Sequence, residues 1–143
     1  MIAAEEAVRA WVNTYPGLAG AGNPLAMGAF LRSQRSPASG AYAVLTSLPA
    51  QGAAAVAEDG AVSTVRVGAL VYAGTVEAAE AAAAAYTSAV ESLTGKPAPM
   101  GDSGVVCLVS DNVEGPAYIE QPADSGEEHC FSVNADFVLY QEG

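Results

Sequence analysis

Thr75–Thr94 reads TVEAAEAAAAAYTSAVESLT, and this stretch decides the fold. Val76, Ala79, Ala83, Tyr86, Val90 and Leu93 recur at spacings of 3, 4, 3, 4 and 3, which places them on one face of an α-helix. Thr75 supplies the side-chain oxygen that an N-cap needs. Gly95, with Pro97 and Pro99 just beyond, is the expected stop. Glu77, Glu80 and Glu91 fall off the stripe, towards water. With so much alanine, the helix backbone can approach a sheet closely, so a helix lying on a sheet is the expected unit.

The flanking sequence supplies that sheet. Residues 2–14 predict a first helix with a rough stripe of Ile2, Val8, Trp11, Val12 and Tyr15, ended by Pro16-Gly17. Glu5 and Glu6 sit near its positive N-terminal end. Residues 16–26 form a loop punctuated by Gly and Pro. Strands are expected at 27–33, 41–48 and 62–72, where β-branched and aromatic residues gather between breakers. PAQGAAAVAEDGA, residues 49–61, reads as a projecting loop or hairpin arm. Beyond the long helix, Val105–Val109 (VVCLV) is continuous and apolar, as expected of a central strand. Residues 115–128 contain Pro116, Pro122 and Gly126 among acids, and read as an exposed acidic loop with a short strand at Ala117–Glu120. A last strand is expected at 130–140. No internal repeat is visible. The expected architecture is α+β: one domain over residues 1–143, with a mixed or antiparallel β-sheet carrying an N-terminal helix and the long Ala-rich helix.

Charge narrows the function. Five Lys and Arg face sixteen Asp and Glu, a formal net charge of −11 over 143 residues. Free nucleic-acid binding needs cations to displace counterions from phosphates, so that class is set aside. Adhesion to anionic membranes is set aside for the same reason. The opening MIAAEEAVRAW has neither a basic n-region nor an apolar h-region, and no run is long enough for a transmembrane helix. Two cysteines, Cys107 and Cys130, are too few for a disulfide framework or a four-thiolate zinc site, and both are expected to be buried free thiols.

Catalytic and metal chemistries find little support. Gly101-Asp102-Ser103-Gly104 has the residue types of the nucleophile segment of trypsin-like proteases, but the only histidine, His129, follows the serine instead of preceding it. The segment reads as a turn into VVCLV. Glu127-Glu128-His129-Cys130 offers metal-capable side chains, yet neighbours on an extended chain point to opposite faces and do not converge on one ion. The carboxylate pairs Asp111/Glu114 and Glu58/Asp59 read as solvated acids, since acid–base work needs a pocket that separates their pKa values. No GxGxxG and no Walker-type loop occurs. No enzyme activity, catalytic residue, metal or cofactor is expected.

Phe30–Tyr42 reads FLRSQRSPASGAY and holds two of the five cations, Arg32 and Arg35, ahead of a turn at Pro37 and Gly40. This stretch belongs to a wider resemblance. IAAEEAVRAWVN, GNPLAMGAFLRSQRSPASGAYAVL, VYAGTVEAAEAAAAAYTSAVESLTG, VVCLVSDNVEGP and NADFVLY resemble the tail terminator proteins of long-tailed phages, siphovirus-type, especially those of actinobacterial hosts. The resemblance runs from Ile2 to Tyr140. It implies a structural virion protein that forms a ring, usually hexameric, on the last ring of the tail tube. Such a ring stops tube polymerisation and joins the tail to the connector or stopper protein of the head. It sits at the head-proximal end of the tail after assembly in the host cytoplasm, and DNA passes through its lumen without specific binding. A ring needs heterologous interfaces, and Arg32 and Arg35 are the candidate inter-subunit residues, pairing with an acidic patch of a neighbour. Two rival readings remain. One is another head–tail component, a stopper, adaptor or minor tail subunit. The other is a small cytoplasmic enzyme or ligand-binding α+β domain using Asp102, Ser103 or His129.

Overall fold

A computed structural model of the chain describes residues 3–31, 40–48, 62–120 and 128–141. Arg32, Arg35, the expected arm at 49–61 and residues 121–127 of the expected acidic loop lie outside these residues. The described residues form one α+β domain. Its elements run α1 (Ala4–Thr14), β1 (Gly28–Phe30), β2 (Tyr42–Leu48), β3 (Ser63–Ala73), α2 (Val76–Glu91), β4 (Thr94–Pro99), β5 (Val105–Ile119) and β6 (His129–Gln141). The six strands make one sheet in the order β1-β2-β3-β6-β5-β4. Only β1 and β2 pair in parallel, and every other neighbouring pair is antiparallel.

Both helices lie on one face of this sheet, α1 over β1, β2 and β3, and α2 over β3, β5 and β6. The strands show why. Val65, Val67, Ala69, Val71 and Ala73 of β3 are buried, opposite Phe131, Val133, Ala135 and Phe137 of β6. Alternate residues share a face, so these two central strands give one apolar surface. The helices meet it with Ala4, Ala7, Val8, Trp11 and Val12 from α1, and Ala79, Ala82, Ala83, Tyr86, Ala89 and Val90 from α2. Trp11 fixes the corner: its ring lies edge-on to Tyr86 at 6.5 Å and to Phe137 at 6.4 Å, tying both helices to β6.

The N-cap of α2 is as expected, with the Thr75 side chain accepting a hydrogen bond from the Ala78 amide at 3.1 Å. Its end is not. The helix stops at Glu91, and Gly95 belongs to β4. The last carbonyls are taken by β5: Ser110 Oγ donates to Val90 O at 2.6 Å and Ser110 N to Leu93 O at 3.0 Å. These partners satisfy the carbonyls that a helix C-terminus leaves open.

β4 was not expected, because TGKPAP carries a Gly and two prolines. It lies at the sheet edge, where a proline has no outer ladder to break. VVCLV is therefore not the central strand that its continuous apolar run suggested. It opens β5, one place in from the edge, while β3 and β6 hold the centre. The short strand expected at Ala117–Glu120 is present, but as the end of β5, which runs on without a loop at 115–116 along β6 as far as the Ile119–Cys130 pair. At the other edge β1 is short. The Asn13 side chain covers it from α1, donating to Ala29 O at 3.2 Å and accepting from Ala29 N at 2.8 Å. Gly28 leaves room for that clamp, since a Cβ there would sit 2.6 Å from Asn13 Oδ1. Among the described residues no helix is long and apolar enough to cross a membrane.

Candidate functional site

The face of the sheet opposite the helices is the site of interest. Strand register lays its side chains out in rows. One row is Val44, Leu70, Ser132 and Ala117, the next is Thr46, Gly68, Asn134 and Glu114, and the next is Leu48, Arg66, Asp136 and Asp111.

At one end lies an aromatic cluster. Tyr42 stacks on Tyr72 with ring centroids 5.2 Å apart, and Phe30 meets Tyr42 edge-on at 6.2 Å. The Tyr42 hydroxyl donates to Glu128 Oε2 at 2.9 Å. Burial pushes the neighbouring Cys130 thiol up to about 11, partly offset by its hydrogen bond with Tyr72. A protonated, buried thiol is a poor nucleophile.

The middle rows hold an open groove of about 260 Å³, lined by Thr46, Leu48, Gly68, Ala69, Leu70 and Asn134. Gly68 makes it. A Cβ at this central-strand position would meet Asn134 Oδ1 at 2.7 Å and Leu48 Cδ1 at 3.2 Å. A missing side chain in a central strand marks a place where another group can come close to the backbone.

The same rows end in acids. Arg66, only 13 % exposed, donates from Nη1 to Asp136 Oδ1 at 2.9 Å and to Asn112 O at 3.2 Å, and from Nη2 to Glu114 Oε1. Asn112 Nδ2 donates to Asp136 Oδ2 at 2.8 Å, and the Asn112 amide to Asp111 Oδ1 at 2.8 Å. Bulges in β5 create this arrangement. Residues three apart on a regular strand point to opposite faces, but Asp111 pairs with Asp136 and Glu114 with Asn134, so both reach the open face. The extra residue is accommodated beside Asn112, whose φ of 49° is left-handed. Two carboxylates, Asp136 and Glu114, thus hold one guanidinium, and a third, Asp111, sits in the row beside them, opposite Asp136.

The residues singled out in the sequence are scattered. Ser103 Oγ donates to Met100 O at 2.6 Å and accepts from Val105 N at 3.2 Å, closing the turn before β5. His129 Nδ1 faces the Tyr118 hydroxyl at 3.3 Å. Val105 pairs with Gln141 at the far end of β6 from His129, roughly 40 Å along the strand. Serine and histidine therefore do not meet. Cys107 and Cys130 are both free and buried. Cys107 pairs with Leu139, roughly 30 Å of strand from Cys130, and burial pushes its thiol up to about 11. Among the described residues no three His, Cys, Asp or Glu side chains gather as metal ligands. Of the carboxylate pairs, Asp111 and Glu114 come together on one face, while Glu58 and Asp59 lie outside the described residues, as does Glu127.

Arg66, Asp136 and Asn134 were missed. Val65-Arg66-Val67 and Asn134-Ala135-Asp136 alternate as half-buried strands should, which marks the polar residues as outward-facing. Nothing local says that they face one another.

No protein-family profile matches the sequence, and no curated protein matches it either.

Proposed function

We propose that the chain is a structural virion protein of the phage tail terminator type, assembling as a ring that caps the tail tube and joins it to the head connector. What carries this reading is the resemblance of five sequence stretches to that family, spread from Ile2 to Tyr140 along one α+β domain. Two physical observations support it. The described residues leave one sheet face without a helix and furnish it with a groove and an acidic rim, which suits protein contact better than turnover. A subunit of net charge −11, repeated around a ring, gives a lumen that repels the DNA backbone and does not hold it. Tube protein and connector are the heterologous partners on this reading. Arg32 and Arg35, outside the described residues, are the candidate cations between subunits.

Sedimentation velocity and negative-stain imaging of the purified chain, alone and with polymerising tube protein, test the proposal. The expected result is a ring, hexameric, at one end of tubes whose growth has stopped. A chain that stays monomeric and never decorates tube ends overturns it. A twelvefold ring bound to the head connector would instead assign it to the adaptors.

A further inference from the structure

We infer that the groove over Gly68 and its acidic end form the receiving half of a contact between two copies of this chain, and that the entering half is the Arg32–Arg35 stretch of the neighbour. The inference rests on the ring reading above and names the contact that such a ring would use.

Charge complementarity in count and spacing carries it. Glu114 is 72 % exposed and gives only Oε1 to Arg66. Asp111 is exposed and gives Oδ1 to the Asn112 amide. Each has a second carboxylate oxygen with no partner among the described residues. The bulge brings these two acids, three apart in sequence, to one face. Asp136, by contrast, has both oxygens engaged by Arg66 and Asn112. The local balance is one guanidinium against three carboxylates, so the patch favours incoming cations.

The chain has few cations to offer. Arg66 is consumed within the patch, Arg9 lies beside Glu6 at 3.9 Å, and Lys96 stands alone between Gly95 and Pro97. Arg32 and Arg35 are the only two cations close together in sequence, and they too are three apart. Two arginines can each give a forked pair of N–H donors to a carboxylate.

The sheet keeps the two halves of such a contact apart on each subunit. Leu31 closes the described chain next to β1, an edge strand, whereas Asp111 and Glu114 lie on β5, four strand spacings or roughly 19 Å away. One patch then meets a different patch, as the heterologous interface of a ring requires. Between them the Gly68 groove, bare of side chain at its floor, accepts close approach of the incoming backbone or of an aliphatic side chain.

Charge reversal with rescue on the full chain is the test, read by sedimentation velocity and native mass spectrometry with thermal melts as the folding control. Asp111→Lys with Glu114→Lys, and separately Arg32→Glu with Arg35→Glu, are each expected to weaken self-association at least ~10-fold. The fourfold variant, which restores opposite charges, is expected to return to within about threefold of wild type. Thr46→Trp, which fills the groove from its exposed rim, is expected to weaken association without altering the melt. Rings that form unchanged in both reversal variants overturn the inference and leave the ring reading standing. An Arg32→Glu, Arg35→Glu variant that lowers only the melting temperature assigns the arginines to their own chain, which also overturns it. A wild-type chain that never assembles, alone or on tubes, removes both.

Discussion

Arg66→Met should cost the fold about 2–3 kcal/mol. The figure comes from the two partners of the guanidinium, which differ in exposure. Glu114 is mostly in water, and an ion pair of that kind contributes roughly 0–1 kcal/mol. Asp136 is 19 % exposed, and its pair with Arg66 is close to a buried one, where loss of one partner costs roughly 3–5 kcal/mol. Residual solvent access lowers that to about 2 kcal/mol. The variant would leave Asp136 directly opposite Asp111 with only Asn112 to bond it, and like charges facing across a ladder repel. Urea unfolding should show the loss as a lower midpoint at unchanged slope, and calorimetry as a fall of roughly 6–10 °C. Adding Asp136→Leu to Arg66→Met should recover at least half of it, because the stranded carboxylate is then gone. A single variant within about 0.5 kcal/mol of wild type, or a double variant no better than the single, would refute this account of the patch.

Three further outcomes follow from the packing. Trp11→Ala removes the ring that joins α1, α2 and β6, and should destabilise by about 3–5 kcal/mol in the same urea assay. Gly115→Ala puts a Cβ 2.4 Å from the Ser132 carbonyl oxygen at a φ of +108°, so a loss of at least about 2 kcal/mol is expected, with amide exchange speeding first along 111–119. The thiols predict an alkaline limit. Cys107 and Cys130 hold their protons to about pH 11 when folded, while the unfolded chain ionises its thiols earlier. Their contribution to stability is therefore whole below the ordinary thiol pKa and declines as pH rises towards 11, with buried Tyr86 shifted in the same direction. Replacing both cysteines with Ala should flatten that decline, and a decline of unchanged steepness would exclude the thiols as its source.

Local pattern alone determined much of this protein. The 3-4 spacing from Ala79 to Val90 and the oxygen at Thr75 are local to the helix that they specify, because helical hydrogen bonds and one-sided burial link residues at most four apart, whereas Val76 is exposed and Leu93 lies past the helix end at Glu91. The strands β2 and β3 were legible because β-branched and aromatic residues gather there between breakers, and β6 from the strong apolar run at its end. The scarcity of cations and the nearness of Arg32 to Arg35 are likewise properties of sequence. Tertiary structure decided the rest. β6 comes last in the chain yet lies between β3 and β5, displacing VVCLV from the centre, and β4 exists only because an edge tolerates Pro97 and Pro99. The Asp111–Glu114 pair reads from the sequence as two solvated acids, and both are exposed, but three residues of regular strand would part them. Bulges in β5 bring them together, and Arg66 bonds Glu114 directly from 48 residues away. A bulge is a mismatch in count between two strands, so its position depends on a partner that neither strand's own sequence identifies.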